Sequence, residues 1–147
     1  NISMNKFTDE LKKWQEKRFA EKNIKAEWEI KADRLFGDEL LLEMLIRNIF
    51  ENAFRATDEG GKISTYVYEN EKNTVFEITD TGCGMEPEEL EKIKEPFYRV
   101  DKSRSRKQGG TGLGVSLCQK IVEKHDGSME YRSKKGVGTT VTVKIPL

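Results

Sequence analysis

A single histidine, two cysteines, no net charge and no long apolar run are the most telling shortages of this sequence. Cys83 and Cys118 stand far apart, without the paired spacing of a thiolate metal site or the density of a disulfide framework. A reducing, cytoplasmic compartment is the simplest expectation. No apolar stretch approaches the roughly 18 residues that a membrane helix needs, and no basic-then-apolar leader opens the chain. Lysine plus arginine count 26, and so do aspartate plus glutamate. That balance argues against bulk binding to nucleic acid or to an anionic membrane. At 147 residues the chain can build one sizeable core and not two.

What is present begins with glycine. Gly109-Gly110-Thr111-Gly112-Leu113-Gly114-Val115 precedes an apolar helical pattern (Leu117, Ile121, Val122) and follows a basic, polar run. Glycines this dense destabilise a helix, but they let backbone approach a ligand, and a helix start offers unpaired N–H groups to an anion. The run reads as a phosphate cradle or as a ligand-free glycine-rich helix start. It matches neither the Walker pattern nor a dinucleotide fingerprint placed directly after a strand.

Three further segments bear on that choice. From Glu39 to Ala56, apolar Leu41, Leu42, Leu45, Ile46, Ile49, Phe50, Ala53 and Phe54 recur at helical spacing and predict a wide buried stripe. Asn48, Asn52 and Arg55, four and three apart, share another face. That face is either solvated or supplies an amide oxygen to a magnesium shell completed by phosphates and waters. Asp80-Thr81-Gly82-Cys83-Gly84-Met85 follows an alternating run, Val75 to Thr79. Asp80 there is either a turn former or an acceptor for an exocyclic amine, which would select adenine over guanine. Gly136-Val137-Gly138-Thr139-Thr140-Val141 reads, alone, as a hairpin.

The remaining elements follow from periodicity and punctuation. A short strand near Ile2–Phe7 is expected before a helix from about Thr8 to Glu21, capped by Thr8 or Asp9. Ile24–Ile30 alternates as a strand, as do Lys62–Glu69 and Thr74–Thr79 around a turn at 70–73. Pro87 suits the first turn of a short helix, Glu86–Lys94. A helix over Gly112–Lys124 and strands over Ser128–Ser133 and Thr139–Ile145 close the chain. The expected class is α/β: a two-layer sandwich of a mixed β-sheet with helices on one face. The stretch from Lys94 to Gly110 has no periodicity and carries Arg99, Lys102, Arg104, Arg106 and Lys107. It is either a solvated basic loop or a functional lid.

Taken in order, these segments resemble the ATP-binding catalytic domain of sensor histidine kinases, in the superfamily shared with gyrase, the heat-shock chaperone ATPase and mismatch-repair ATPases. Asn48 to Arg55 resembles the N box, and Asp80 to Gly84 the first glycine box. Glu95-Pro96-Phe97-Tyr98-Arg99 resembles the F box, Gly110 to Gly114 the second glycine box, and Gly136 to Thr140 the third. The resemblance covers nearly the whole chain and implies the Bergerat (GHKL) fold, with a lid at about 95–110.

The resemblance also implies roles. Asp80 would hold the adenine amino group, directly and through water shared with Gly84 or Thr140, with Gly82 in the same turn. Asn52 would ligate Mg2+, Asn48 would support it, and Arg55, Tyr98 and Arg99 would meet the nucleotide. Amides from Gly110, Thr111, Gly112, Leu113 and Gly114 would stabilise charge as the γ-phosphoryl leaves. ATP hydrolases of the superfamily carry a Glu four residues before the magnesium Asn. Here Asn48 stands there, and an amide is no general base. A histidine acceptor needs none before attack, because its neutral imidazole is already nucleophilic. Asn48, Arg99 and Glu51 are therefore the catalytic candidates. Glu51 either orients the acceptor or has a surface role, since it points about 100° from Asn52. Two departures from the family pattern are Arg55 for the commoner Lys, and Ala56 for the aromatic residue that often follows.

His125 falls at a structural position of the family, so the phosphoacceptor histidine is expected on a separate helical dimerisation domain. The expected whole is an excised catalytic domain, 1–147, from a membrane-anchored sensor: cytoplasmic, monomeric, without nucleic-acid or direct membrane contact, and with a response regulator downstream. The rival readings are a degenerate nucleotide-binding interaction module and an ATP hydrolase.

Overall fold

The computed structural model describes residues 1–92 and 113–147. Its first element corrects an expectation. Met4–Phe19 is a helix, α1, and no strand precedes it among the described residues. Ser3 is the cap, its side chain accepting from the Lys6 N–H at 3.4 Å, while Thr8 lies inside the helix and donates its hydroxyl to the Met4 carbonyl. Met4, Phe7, Thr8, Leu11, Gln15 and Phe19 are buried. That is a 3.6-residue stripe, and it outweighs the short alternation that begins at Ile2. The helix ends in a tight turn, Ala20–Lys22, closed by left-handed Asn23.

Strands β1 (Lys25–Lys31), β2 (Lys62–Glu69), β3 (Asn73–Asp80), β4 (Ser128–Lys134) and β5 (Gly138–Pro146) form one mixed sheet in the order β1-β2-β3-β5-β4. β1 runs parallel to β2 and the other pairs are antiparallel. Helices α2 (Glu39–Ala56) and α4 (Leu113–Lys124) join α1 on one face, and α3 (Pro87–Lys92) lies against β4. The expected two-layer α/β sandwich is what forms, with strand ends displaced by a residue or so. Ile63 and Val67 of β2, Phe76 and Ile78 of β3, and Val141 and Val143 of β5 point to the helices and share one core with Leu45, Ile49 and Phe50. Phe50 is fully buried, with Trp14, Phe19 and Trp28 around its ring. None of the described helices is long and apolar enough to cross a membrane.

Helix α2 is the axis on which the site is built. Asp38 caps its start, accepting from the Leu41 N–H at 3.0 Å. Lys22 caps its end, donating from Nζ to the Phe54 and Thr57 carbonyls while lying over the Phe54 ring. α4 runs antiparallel to α2. Asn48 lies beside Gly114, the Leu45 carbonyl beside the Cys118 thiol, and His125 just past α4 beside Gly37 and Asp38. His125 is a latch: Nε2 accepts the Asp38 N–H at 3.0 Å and Nδ1 lies 2.8 Å from the Ile121 carbonyl. It holds the structural position expected for it.

Candidate functional site

Asp80 ends β3 on the helix side of the sheet and is only 6% exposed. Its Oδ1 accepts from the Gly82 N–H at 2.8 Å and from the Thr139 N–H at 3.3 Å. Burial pushes its carboxyl up to about 6, although both N–H groups pull the other way. A desolvated carboxylate at a strand end, fixed through one oxygen, is suited to accepting a directional hydrogen bond.

The turn after it can form only with glycine. At Gly82 a Cβ would sit 2.6 Å from the Ala56 carbonyl oxygen, and at Gly84, with φ +67°, it would collide with the Lys134 carbonyl. Bonds from the Cys83 N–H to the Ala56 carbonyl and from the Gly136 N–H to the Cys83 carbonyl stitch the turn between the end of α2 and the β4–β5 hairpin. Gly138 is equally constrained, since a Cβ there would strike the Asp80 carbonyl. The first and third glycine boxes thus close on each other. Ala56, which replaces the frequent aromatic, is where the turn docks.

Asn48, Asn52 and Arg55 lie half-buried along α2. Asn48 donates from Nδ2 to the Met44 carbonyl at 2.9 Å and its Oδ1 faces Gly114, which joins the N box to the start of α4. No group of three or more His, Cys, Asp or Glu side chains gathers among the described residues to hold a metal ion. The side chains of Asn48 and Asn52 are the neutral amide donors on this stretch of α2. Glu51 turns toward α1. Arg18 grips it with Nε on Oε1 at 3.0 Å and a terminal amine on Oε2 at 2.8 Å, and Arg55 Nε approaches Oε2 at 3.3 Å.

Other expected site residues fall differently. Thr140 does not meet Asp80: it points to the opposite face of the sheet, its hydroxyl 3.0 Å from that of Thr79. Thr139 is the residue in register with Asp80. Its hydroxyl lies 2.8 Å from that of Ser133, which also accepts the Met85 N–H. Sequence reasoning missed Thr139 and Ser133, for which only the exact strand register is a signal. Tyr98, Arg99, Gly110, Thr111 and Gly112, with the whole lid at about 95–110, lie outside the described residues, and Leu113 is placed only as the first residue of α4.

Comparison with known proteins agrees with this architecture. Residues 37–147 match the family model described as histidine kinase-, DNA gyrase B- and HSP90-like ATPase. The sensor protein SrrB of Staphylococcus aureus strain NCTC 8325 is 38% identical over 119 residues, which are 81% of this chain and 19% of SrrB. The chain thus spans about a fifth of the length of the curated relatives it matches. The solved catalytic domain of histidine kinase ThkA superposes with a TM-score of 0.84 at 26% identity, covering 99% of this chain and 95% of that one. The mycobacterial sensor histidine kinase MprB gives 0.82 at 24%, over 99% and 95%. ThkA has also been solved in complex with the response regulator protein TrrA. The chain belongs to the histidine kinase-, DNA gyrase B- and HSP90-like ATPase family.

Proposed function

We propose that this chain binds Mg-ATP and transfers the γ-phosphoryl group to a histidine on a separate helical domain, in two-component signalling. The observation that carries the reading is the Asp80 carboxylate: buried, held on Oδ1 by two backbone N–H groups, and set in a turn that only glycines can form. Its Oδ2 would accept from the exocyclic amine of adenine, where guanine would present a carbonyl and repel it.

From that anchor the phosphates would extend along α2 toward the start of α4. Asn52 would hold Mg2+ through its amide oxygen, with Asn48 beside it. Held there, the ion would supply positive charge against the phosphates. Arg55 would contact phosphate, Tyr98 and Arg99 would reach the nucleotide from the lid, and amides from Gly110 to Gly114 would meet developing negative charge. Catalysis of this kind is positioning and electrostatics. An imidazole nitrogen of the acceptor attacks the γ-phosphorus as the bond to the ADP oxygen breaks, and ADP leaves with the electron pair. Asn48, in place of a glutamate, supports transfer to an imidazole over attack by water.

The acceptor helix would dock on an apolar strip beside the γ-phosphate end. Leu40 and Met44 precede Asn48 at four-residue intervals on α2, and Leu117 lies on adjoining α4. They are exposed by 67%, 37% and 37%. The strip runs up to Asn48, where an acceptor must arrive, and most of the length of the relatives lies outside the aligned region. A response regulator would receive the phosphoryl group from that histidine.

The test is calorimetric titration with Mg-ATP beside Asp80→Asn, with GTP as competitor, followed by labelled ATP and a separate phosphoacceptor domain. Label on histidine supports the kinase. Free phosphate alone would make the chain a hydrolase, and no binding by the parent chain would leave only an interaction module.

A further inference from the structure

Arg18 has no part in the nucleotide site as described, yet its guanidinium is engaged by two acids and an aromatic ring. It stands in the last turn of α1, and its guanidinium meets the Glu51 carboxylate in a two-bond fork at 3.0 and 2.8 Å. A second acid, Glu21, takes its other terminal amine at 2.9 Å, and its Cζ lies 4.2 Å from the centre of the Phe54 ring. Glu51 in turn pairs through Oε2 with Nε of Arg55, one helical turn further along α2. The three side chains are 20–33% exposed, so their charges are partly withdrawn from water. We infer that Arg18 is a positioning residue for the phosphate end of the site, acting through Glu51 on Arg55. This rests on the nucleotide-binding reading above.

Two physical effects support it. The first is geometric. Arg55 ends a long flexible stem, and an i,i+4 pair at 3.3 Å is a weak restraint by itself. A planar fork from Arg18 fixes the Glu51 carboxylate in orientation, so the acid that faces Arg55 Nε is itself held in place. The second is electrostatic. Glu51 sits one residue before Asn52, and an unneutralised carboxylate there would repel the phosphates that Arg55 is to attract. Arg18 offsets that charge, so the network of Arg18, Arg55, Glu51 and Glu21 is neutral where without Arg18 it would be negative. The placement of α1 against α2 is thereby coupled to how well phosphate binds.

The test is a double-mutant cycle on the whole chain, with ATP and adenosine as paired ligands. Arg18→Ala is expected to weaken Mg-ATP about fivefold or more while leaving adenosine affinity unchanged. Combined with Arg55→Ala it should add little to the loss caused by Arg55→Ala alone. Arg18→Lys, a single donor, should recover only part of the affinity. Arg18→Gln, which keeps much of the stem and removes the charge, serves as a second entry to the same cycle should Arg18→Ala fold poorly. Unchanged ATP affinity in both variants would overturn the inference, and so would equal losses for ATP and adenosine or full additivity with Arg55→Ala. Failure of the parent chain to bind ATP would be a separate result, sinking the nucleotide-binding reading itself.

Discussion

Asp80 and Gly138 meet backbone to backbone at the edge of the β3–β5 ladder, so closely that any side chain at Gly138 would strike the Asp80 carbonyl. That approach brings the next amide, Thr139 N–H, within 3.3 Å of Asp80 Oδ1. Gly138→Ala should therefore displace the acceptor as well as strain a residue at φ +146°. The expected loss is about 2 kcal/mol or more of stability, together with nucleotide affinity. Denaturant unfolding and ATP titration of the same sample measure the two. The comparison is Gly136→Ala, where φ is +81° but the space is open, and which should cost stability alone.

Asp80→Asn should separate stability from binding. An asparagine oxygen can still accept from Gly82 and Thr139, while the buried charge is removed. At pH 7.5 the variant is expected to be as stable as the parent or more so, by up to about 3 kcal/mol, yet to lose ATP binding. Urea unfolding beside calorimetry would check this, and a variant that both unfolds easily and fails to bind would contradict it.

The pH dependence has a definite sign. Folded Asp80 titrates near 6, above an unfolded carboxylate near 4. Below about pH 4 both states carry the proton and the charge-burial cost is absent. Between about pH 4 and 6 the unfolded chain ionises first, so this group's contribution to stability falls as pH rises. Above about 6 the cost is complete. The stability difference between Asp80→Asn and the parent should accordingly widen from pH 5 to 7.5. Adenine affinity should move oppositely: with Oδ1 occupied by two N–H donors, an acid proton goes to Oδ2 and opposes the adenine amine. Titrations at pH 5.5 and 7.5 would show weaker ATP binding at the lower value.

Leu40→Lys and Met44→Lys should leave ATP binding intact and reduce phosphoryl transfer to a helical acceptor by about tenfold or more. Both side chains are exposed, so the fold should tolerate them. Equal transfer rates would remove this strip as the docking face.

Much of this was legible in the sequence, for identifiable reasons. α2 announces itself by an 18-residue stripe with Asp38 before it, and the glycine turns by Gly82, Gly84 and Gly138, where an added Cβ meets backbone. α1 was misjudged at its start because a few residues fit either period, and the decision lies in burial through Gln15 and Phe19 far downstream. Thr139 and Thr140 are chemically identical neighbours, and only register says which one faces Asp80. Arg18 and Glu51 are 33 residues apart on separate helices, each ordinary within its own pattern. Charge pairs between elements leave no mark on either element's periodicity.

The His125 latch bears on the chemistry of the isolated chain. Accepting the Asp38 N–H engages the Nε2 lone pair, and the contact with the Ile121 carbonyl puts the ring proton on Nδ1. Neither nitrogen then has an electron pair to offer phosphorus. The one imidazole in the sequence is thus engaged at both nitrogens, and phosphohistidine formed in a mixture containing this chain is expected on the other component.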